Sequence, residues 1–178
     1  MIYLMRHGAD PSDRYGGWSA YGLTKKGKEQ VHRAKEYLCD KGITRIYSSD
    51  LVRAKETAEI VANSLDLKIT YLPQFRESNN GILAGMLKTE AMEKYPGVYW
   101  NALEWTESWP GGESPEQFFH RIQGAWLDFK KKVGNSNVLL VSHGGVMNVI
   151  LCLEKEIPYT NKETHFQIKD AEIVEIEI

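Results

Sequence analysis

Short unbroken apolar runs alternate along this chain with longer stretches whose apolar residues recur every third or fourth position. Ile2 to Met5 and Val138 to Val141 are such runs, rich in β-branched and aromatic side chains, and read as buried strands. The spaced stretches read as helices. Thr24 is placed to cap one that runs to about Asp40, with Val31, Ala34 and Leu38 on one face and Gly42 as its stop. Arg45 to Ser48 reads as a strand, and Ser49 or Asp50 as the cap of a helix over Leu51 to Leu65. The stripe of that helix is Ala54, Ala58, Val61 and Leu65, and Arg53 lies in its first turn off the stripe. Lys68 to Leu72 is a third strand, and Thr89 to Tyr95 a short helix. Ser114-Pro115-Glu116-Gln117 combines a capping box with proline at the first helical position. The helix it opens carries Phe118, Ile122, Ala125, Phe129 and Val133, and Gly134 ends it. A helix over Val146 to Leu153 follows. Glu163 to Ile168 and Ala171 to Ile178 read as two terminal strands.

Strands alternating with helices predict an α/β fold: three layers, a mainly parallel sheet covered on both faces, with the terminal pair as an antiparallel edge. The expected organisation is one domain over 1–178, with 73–113 as an insertion after the third strand that could cover a site. In such sheets ligands sit beyond the carboxyl ends of the strands. Two runs end there in the same way, one in Arg6-His7-Gly8 and the other in Ser142-His143-Gly144-Gly145. Adjacent strands would therefore bring two imidazoles to one edge of the sheet.

Composition narrows the partners. The 178 residues are 42% hydrophobic and 26% charged, with a formal net charge of −2. That balance gives no broad electrostatic case for nucleic acid or a membrane surface, so an anion site must be local. No segment approaches the roughly 18 apolar residues of a membrane span. The N-terminus shows no basic leader, and Cys39 and Cys152 read as separate reduced thiols, so a cytoplasmic protein is expected. His32, His120 and His165 do not converge with His143 in the sequence pattern, so no metal site is expected.

Leu4-Met5-Arg6-His7-Gly8 resembles the opening signature of the histidine phosphatase superfamily, the phosphoglycerate mutase-like proteins. Tyr47-Ser48-Ser49-Asp50-Leu51-Val52-Arg53-Ala54 with Thr57-Ala58 resembles its second signature. Arg76-Glu77 is similar to its acidic motif, Gly111-Gly112-Glu113-Ser114 to its Gly-Glu-Ser segment, and Ser142-His143-Gly144-Gly145 to its last. The matches occur in family order over nearly the whole chain.

The residue types suit the chemistry that the resemblance implies. A neutral imidazole can attack a phosphate without charge repulsion and split one hard step into two. His7 is the expected nucleophile. Arg6 and Arg53 are expected to lower its pKa and to fork onto phosphate oxygens. His143, protonated once phosphate is bound, would complete the cationic pocket and stabilise the transition state. The resemblance assigns the general acid to Glu77, although an Arg-Glu pair in a loop also suits a solvated ion pair. Gly111 to Ser114 is complete as a helix start without any such role. Tyr99, Trp100 and Trp105 fit either a lid or packing, and Ser12 and Arg14 are candidates to contact the substrate.

The chain departs from the family pattern at Ala9, where many members are acidic, at Asp13, where many carry a phosphate-contacting Asn, and at Ala84, where many carry Glu. The implied activity is a phosphatase acting on small phosphorylated metabolites, with no cofactor; its oligomeric state is open. The alternatives are a phosphomutase and a phospho-ligand sensor without turnover.

Overall fold

The computed structural model describes residues 1–177. Five strands, β1 (Ile2–Arg6), β2 (Arg45–Ser48), β3 (Ile69–Tyr71), β4 (Val138–Ser142) and β5 (Ile173–Ile176), form one sheet in the order β3-β2-β4-β1-β5. All pairings are parallel except that of β5, which runs antiparallel to β1. Five α-helices accompany them: α1 (Lys25–Ala34), α2 (Val52–Leu65), α3 (Lys88–Lys94), α4 (Pro115–Val133) and α5 (Gly144–Glu154).

Successive strand residues face opposite sides of a sheet, and here both sides are apolar. Ile2, Leu4, Val138 and Leu140 join Phe118, Ile122, Trp126 and Phe129 of α4 and Val146 and Ile150 of α5 in one core. Tyr3, Met5, Leu139 and Val141 join Val31 of α1 and Ala54, Ala58 and Val61 of α2 in the other. This explains why β1 and β4 read as unbroken apolar runs. A third cluster, Leu83, Ala91, Leu103 and Trp109, lies within the 73–113 stretch, with Tyr15 and Trp100 against it.

Three expectations need correction. The first concerns Glu163 to Ile168, which is an irregular segment. Its backbone is taken up elsewhere: Phe166 N–H donates to Asn148 Oδ1 at 3.0 Å, and the Ile168 carbonyl accepts from Arg6 Nη1 at 2.5 Å. The terminal edge is therefore the single strand β5, and Ile178 of the expected strand lies outside the described residues. The second concerns the cap of α2, which is Leu51. Its N–H donates to Ser49 Oγ at 3.3 Å, while Asp50 turns to Arg76. The third concerns the first helix, which tightens into a 3-10 turn over Lys35–Leu38. The capping box at Ser114 forms as expected, with Ser114 Oγ accepting from Gln117 N–H and Gln117 Oε1 from Ser114 N–H.

Candidate active site

Register places the two histidines side by side. Arg6 pairs with Ser142 at the last position of the β1–β4 ladder, and His7 N–H then donates to the Ser142 carbonyl at 3.0 Å. His7 and His143 are the next residues out, with ring centroids 5.1 Å apart. Gly8 lets the chain turn away tightly: a Cβ there would stand 2.4 Å from the Gly27 carbonyl oxygen.

His7 is 4% exposed. Its Nδ1 lies 2.7 Å from the Gly8 carbonyl, and its Nε2 lies 3.2 Å from Arg53 Nε. A carbonyl can only accept and a guanidinium can only donate. The proton is therefore on Nδ1, and Nε2 keeps its lone pair. Burial, then Arg53 and Arg6, push the His7 pKa well below 6.5. His143 is fully buried, with Nε2 2.8 Å from Ser49 Oγ. Burial lowers its pKa too, with Arg53, His7, Arg6 and Arg121 adding to the effect. The free pocket thus holds both imidazoles neutral. Protonation of His143 would have to come with the charge of a bound anion.

Arg53 is 2% exposed, far more enclosed than its place off the apolar stripe suggests. A loop that the sequence leaves irregular, between β1 and α1, covers it. Arg53 Nη2 donates to the Gly17 carbonyl at 2.7 Å, and Nη1 lies 3.4 Å from Ser19 Oγ. Arg6 reaches the opposite side, pairing with Asp170 at 3.0 Å. Its Nε and His143 Nδ1 are buried without a protein partner.

Glu77 stands over the N-terminus of α5. Its Oε2 accepts from Gly145 N–H at 3.0 Å, and a Cβ at Gly145 would come within 2.4 Å of its Oε1. Arg76 does not pair with it; it forks onto Asp50 at 2.6 and 2.5 Å. The loop carrying Glu77 is held from α4. Arg121 donates to the carbonyls of Gln74, Arg76 and Glu77 at 2.8, 2.9 and 3.1 Å, and forks onto Glu113. Glu113 in turn accepts from Asn79 N–H at 2.7 Å. The Gly-Glu-Ser segment therefore both starts α4 and fixes the acidic loop.

Two cavities meet at Arg6, His7, Glu77 and Asp170, one of about 930 Å³ and one of about 650 Å³. Trp100 lines the larger, held by Trp109 and Phe118. Of the other two aromatic candidates, Tyr99 is half exposed and Trp105 packs against Phe119 and Tyr159; neither lines these two cavities. Ser12 and Arg14 line the smaller cavity, Arg14 donating to the Gly85 carbonyl at 3.1 Å. Asp13 is exposed and absent from both linings. Sequence reading missed Asp10, Asn148, Tyr159 and the wall from Thr160 to Asp170. Reading Glu163 to Ile168 as a strand concealed much of that wall. Among the described residues no group of three or more His, Cys, Asp or Glu is placed to hold a metal ion, and no helix is long and apolar enough to cross a membrane.

Two buried imidazoles held neutral beside two arginines, at the strand ends of an α/β sheet, are an arrangement suited to binding an anion. A family model described as histidine phosphatase superfamily (branch 1) matches residues 2–178, and the chain belongs to that family. It is 30% identical over 182 residues to a probable phosphoglycerate mutase GpmB of Erwinia tasmaniensis, covering 99% of this chain and 84% of the relative. A protein of the same name from Salmonella paratyphi B is 35% identical over 148 residues, 80% and 69% of the two chains. Bacillus stearothermophilus YhfR superposes with a TM-score of 0.85 at 25% identity, over 97% and 88% of the chains. The α-ribazole phosphatase of Shigella flexneri gives 0.84 at 24% identity, over 96% and 86%, and shares the fold.

Proposed function

We propose that this chain is a phosphatase that hydrolyses small phosphomonoesters through a phosphohistidine on His7. The observation that carries this reading is the state of His7. Its Nδ1–H is fixed on the Gly8 carbonyl and its pKa is lowered, so Nε2 is a neutral nucleophile.

In the first step the Nε2 lone pair attacks phosphorus and the ester P–O bond breaks. Arg6, Arg53 and His143 neutralise the charge on the equatorial oxygens. Arg6 Nε and His143 Nδ1 are free to donate to them, His143 by taking up a proton as the anion enters. Glu77 gives its proton to the leaving alkoxide. In the second step the Glu77 carboxylate takes a proton from water, which attacks the phosphohistidine. Orthophosphate leaves and both groups are restored. No cofactor takes part.

Beside Glu77, Trp100 is the residue of the 73–113 insertion in the larger cavity that would touch the leaving group, and small phosphorylated metabolites are the substrates the cavities suit. The free thiols Cys39 and Cys152 suit a reducing, cytoplasmic setting. The phosphomutase reading is favoured by the names of the curated relatives; it differs only in whether water or a second hydroxyl receives the phosphoryl group. A phosphomonoester panel assayed in EDTA, with His7→Ala as control, tests the proposal. Hydrolysis by the wild type alone supports it. Transfer to an added phosphoglycerate without release of orthophosphate supports the mutase, and binding without turnover a sensor.

A further inference from the structure

Both arginines of the clamp already hold a carboxylate. Arg6 Nη2 lies 3.0 Å from Asp170 Oδ1, and Arg53 Nε lies 3.5 Å from Asp10 Oδ2. The two acids come from different segments, Asp10 from the turn after His7 and Asp170 from the irregular stretch before β5. Both line the smaller cavity beside His7, and Asp170 lines the larger as well. The acidic side chains are 21% and 31% exposed. Asp10 answers the buried charge of Arg53, whereas the more open Arg6–Asp170 pair adds little to stability; both acids stand at the reacting centre, where they meet any incoming anion.

We infer that Asp10 and Asp170 are specificity-determining residues, built-in anions that compete with an incoming phosphoryl group for Arg53 and Arg6. A guanidinium fork accepts carboxylate and phosphate with the same geometry. A carboxylate fixed in the pocket has the advantage of high effective concentration over a free anion. An arriving phosphate must either displace it or sit beside its charge, and both outcomes weaken binding. Orthophosphate has only these contacts to offer and binds poorly. An ester adds contacts between its leaving group and the cavity walls, which offset the competition. The pocket therefore favours esters over orthophosphate and sheds its product. This consequence rests on the phosphatase reading; the competition for the arginines does not.

Inorganic phosphate is the probe. Its Kd is measured by calorimetry for the wild type, Asp10→Asn, Asp170→Asn and the double variant, and its Ki against p-nitrophenyl phosphate hydrolysis. Asparagine keeps the size and hydrogen-bonding oxygen and removes the charge. Each single change is expected to tighten phosphate binding roughly tenfold, the double change further, with a smaller fall in KM for the ester. Melting curves check folding, and Asp10→Ser and Asp170→Ser replace any variant that fails to fold. An unchanged or weakened phosphate affinity in both single variants overturns the inference. Absence of His7-dependent hydrolysis in the wild type defeats the phosphatase reading instead, and the calorimetric titration still decides this one.

Discussion

His7 and His143 rise from adjacent buried strands, where backbone hydrogen bonds fix their positions to one register. The wall that faces them across the larger cavity has no such frame. From Thr160 to Asp170 it is irregular and mostly exposed, held by side-chain contacts such as Asn161 to the Trp100 and Leu103 carbonyls, Asn148 to Phe166 N–H and Arg6 to Ile168 and Asp170. The floor cannot shift without breaking the β1–β4 ladder, so it suits chemistry that needs sub-ångström placement. The wall can change residue by residue at little cost to the sheet, so it suits selection of the leaving group. Glu77 belongs to the floor in this sense although it lies on a loop, because Arg121 and Trp18 donate to its carbonyl and Gly145 N–H to its carboxylate.

If the floor carries the chemistry, His7→Ala should reduce turnover of every ester by roughly four orders of magnitude or more. Labelled phosphate trapped by base quench should vanish from the protein in parallel. A fall confined to some esters would move the nucleophile elsewhere.

Glu77→Gln keeps an oxygen for Gly145 N–H and loses the proton. Alkyl phosphates should slow by about 10²- to 10⁴-fold, and p-nitrophenyl phosphate, whose leaving group needs no proton, much less. Equal losses for both would demote Glu77 to a structural residue.

The wall should answer in KM. Trp100→Phe is expected to raise KM for good substrates a few-fold with kcat little changed. Trp105→Phe, which acts one residue back from the larger cavity through its tilted contacts with Phe119 and Tyr159, should change KM less than Trp100→Phe and mainly lower the melting temperature. The reverse pattern would exchange their roles.

The smallest effect is on stability against pH. His7 and His143 have folded pKa values below 6.5, the ordinary value that returns on unfolding. Below about pH 6.5 the unfolded chain therefore binds more protons than the folded one, and stability falls as pH falls toward the lowered values. Above it the contribution is fully present. Melting temperatures from pH 8 to pH 5 should decline on the acid side, and His7→Asn should flatten that decline. A wild-type profile already flat would mean that the imidazoles are not held neutral.

Much of the architecture was legible in the chain. The unbroken runs of β1 and β4 are apolar at every position because helices cover both faces, and the box at Ser114 starts α4 through contacts local to four residues. The meeting of candidate residues was legible where they sit at the end of such a run, as at Arg6, His7 and His143. The burial of Arg53 was not legible: its helical position points off the apolar stripe, and Gly17 and Ser19 on a distant loop enclose it. The segment from Glu163 to Ile168 was misread because a short stretch of sequence carries no record of whether a strand partner is free. Here its groups are taken by Asn148 and Arg6.

By itself the sequence determined the layered α/β plan, the two strand-end histidines and the arginines that accompany them, because periodicity, capping and turn residues act over a few neighbouring positions. Only the tertiary structure decided which nitrogen of His7 is unprotonated, which acids answer Arg6 and Arg53, and which loops wall the pocket. Those outcomes depend on contacts between residues far apart in the chain, such as Arg6 with Asp170 and His7 with Arg53, which the folded register brings together.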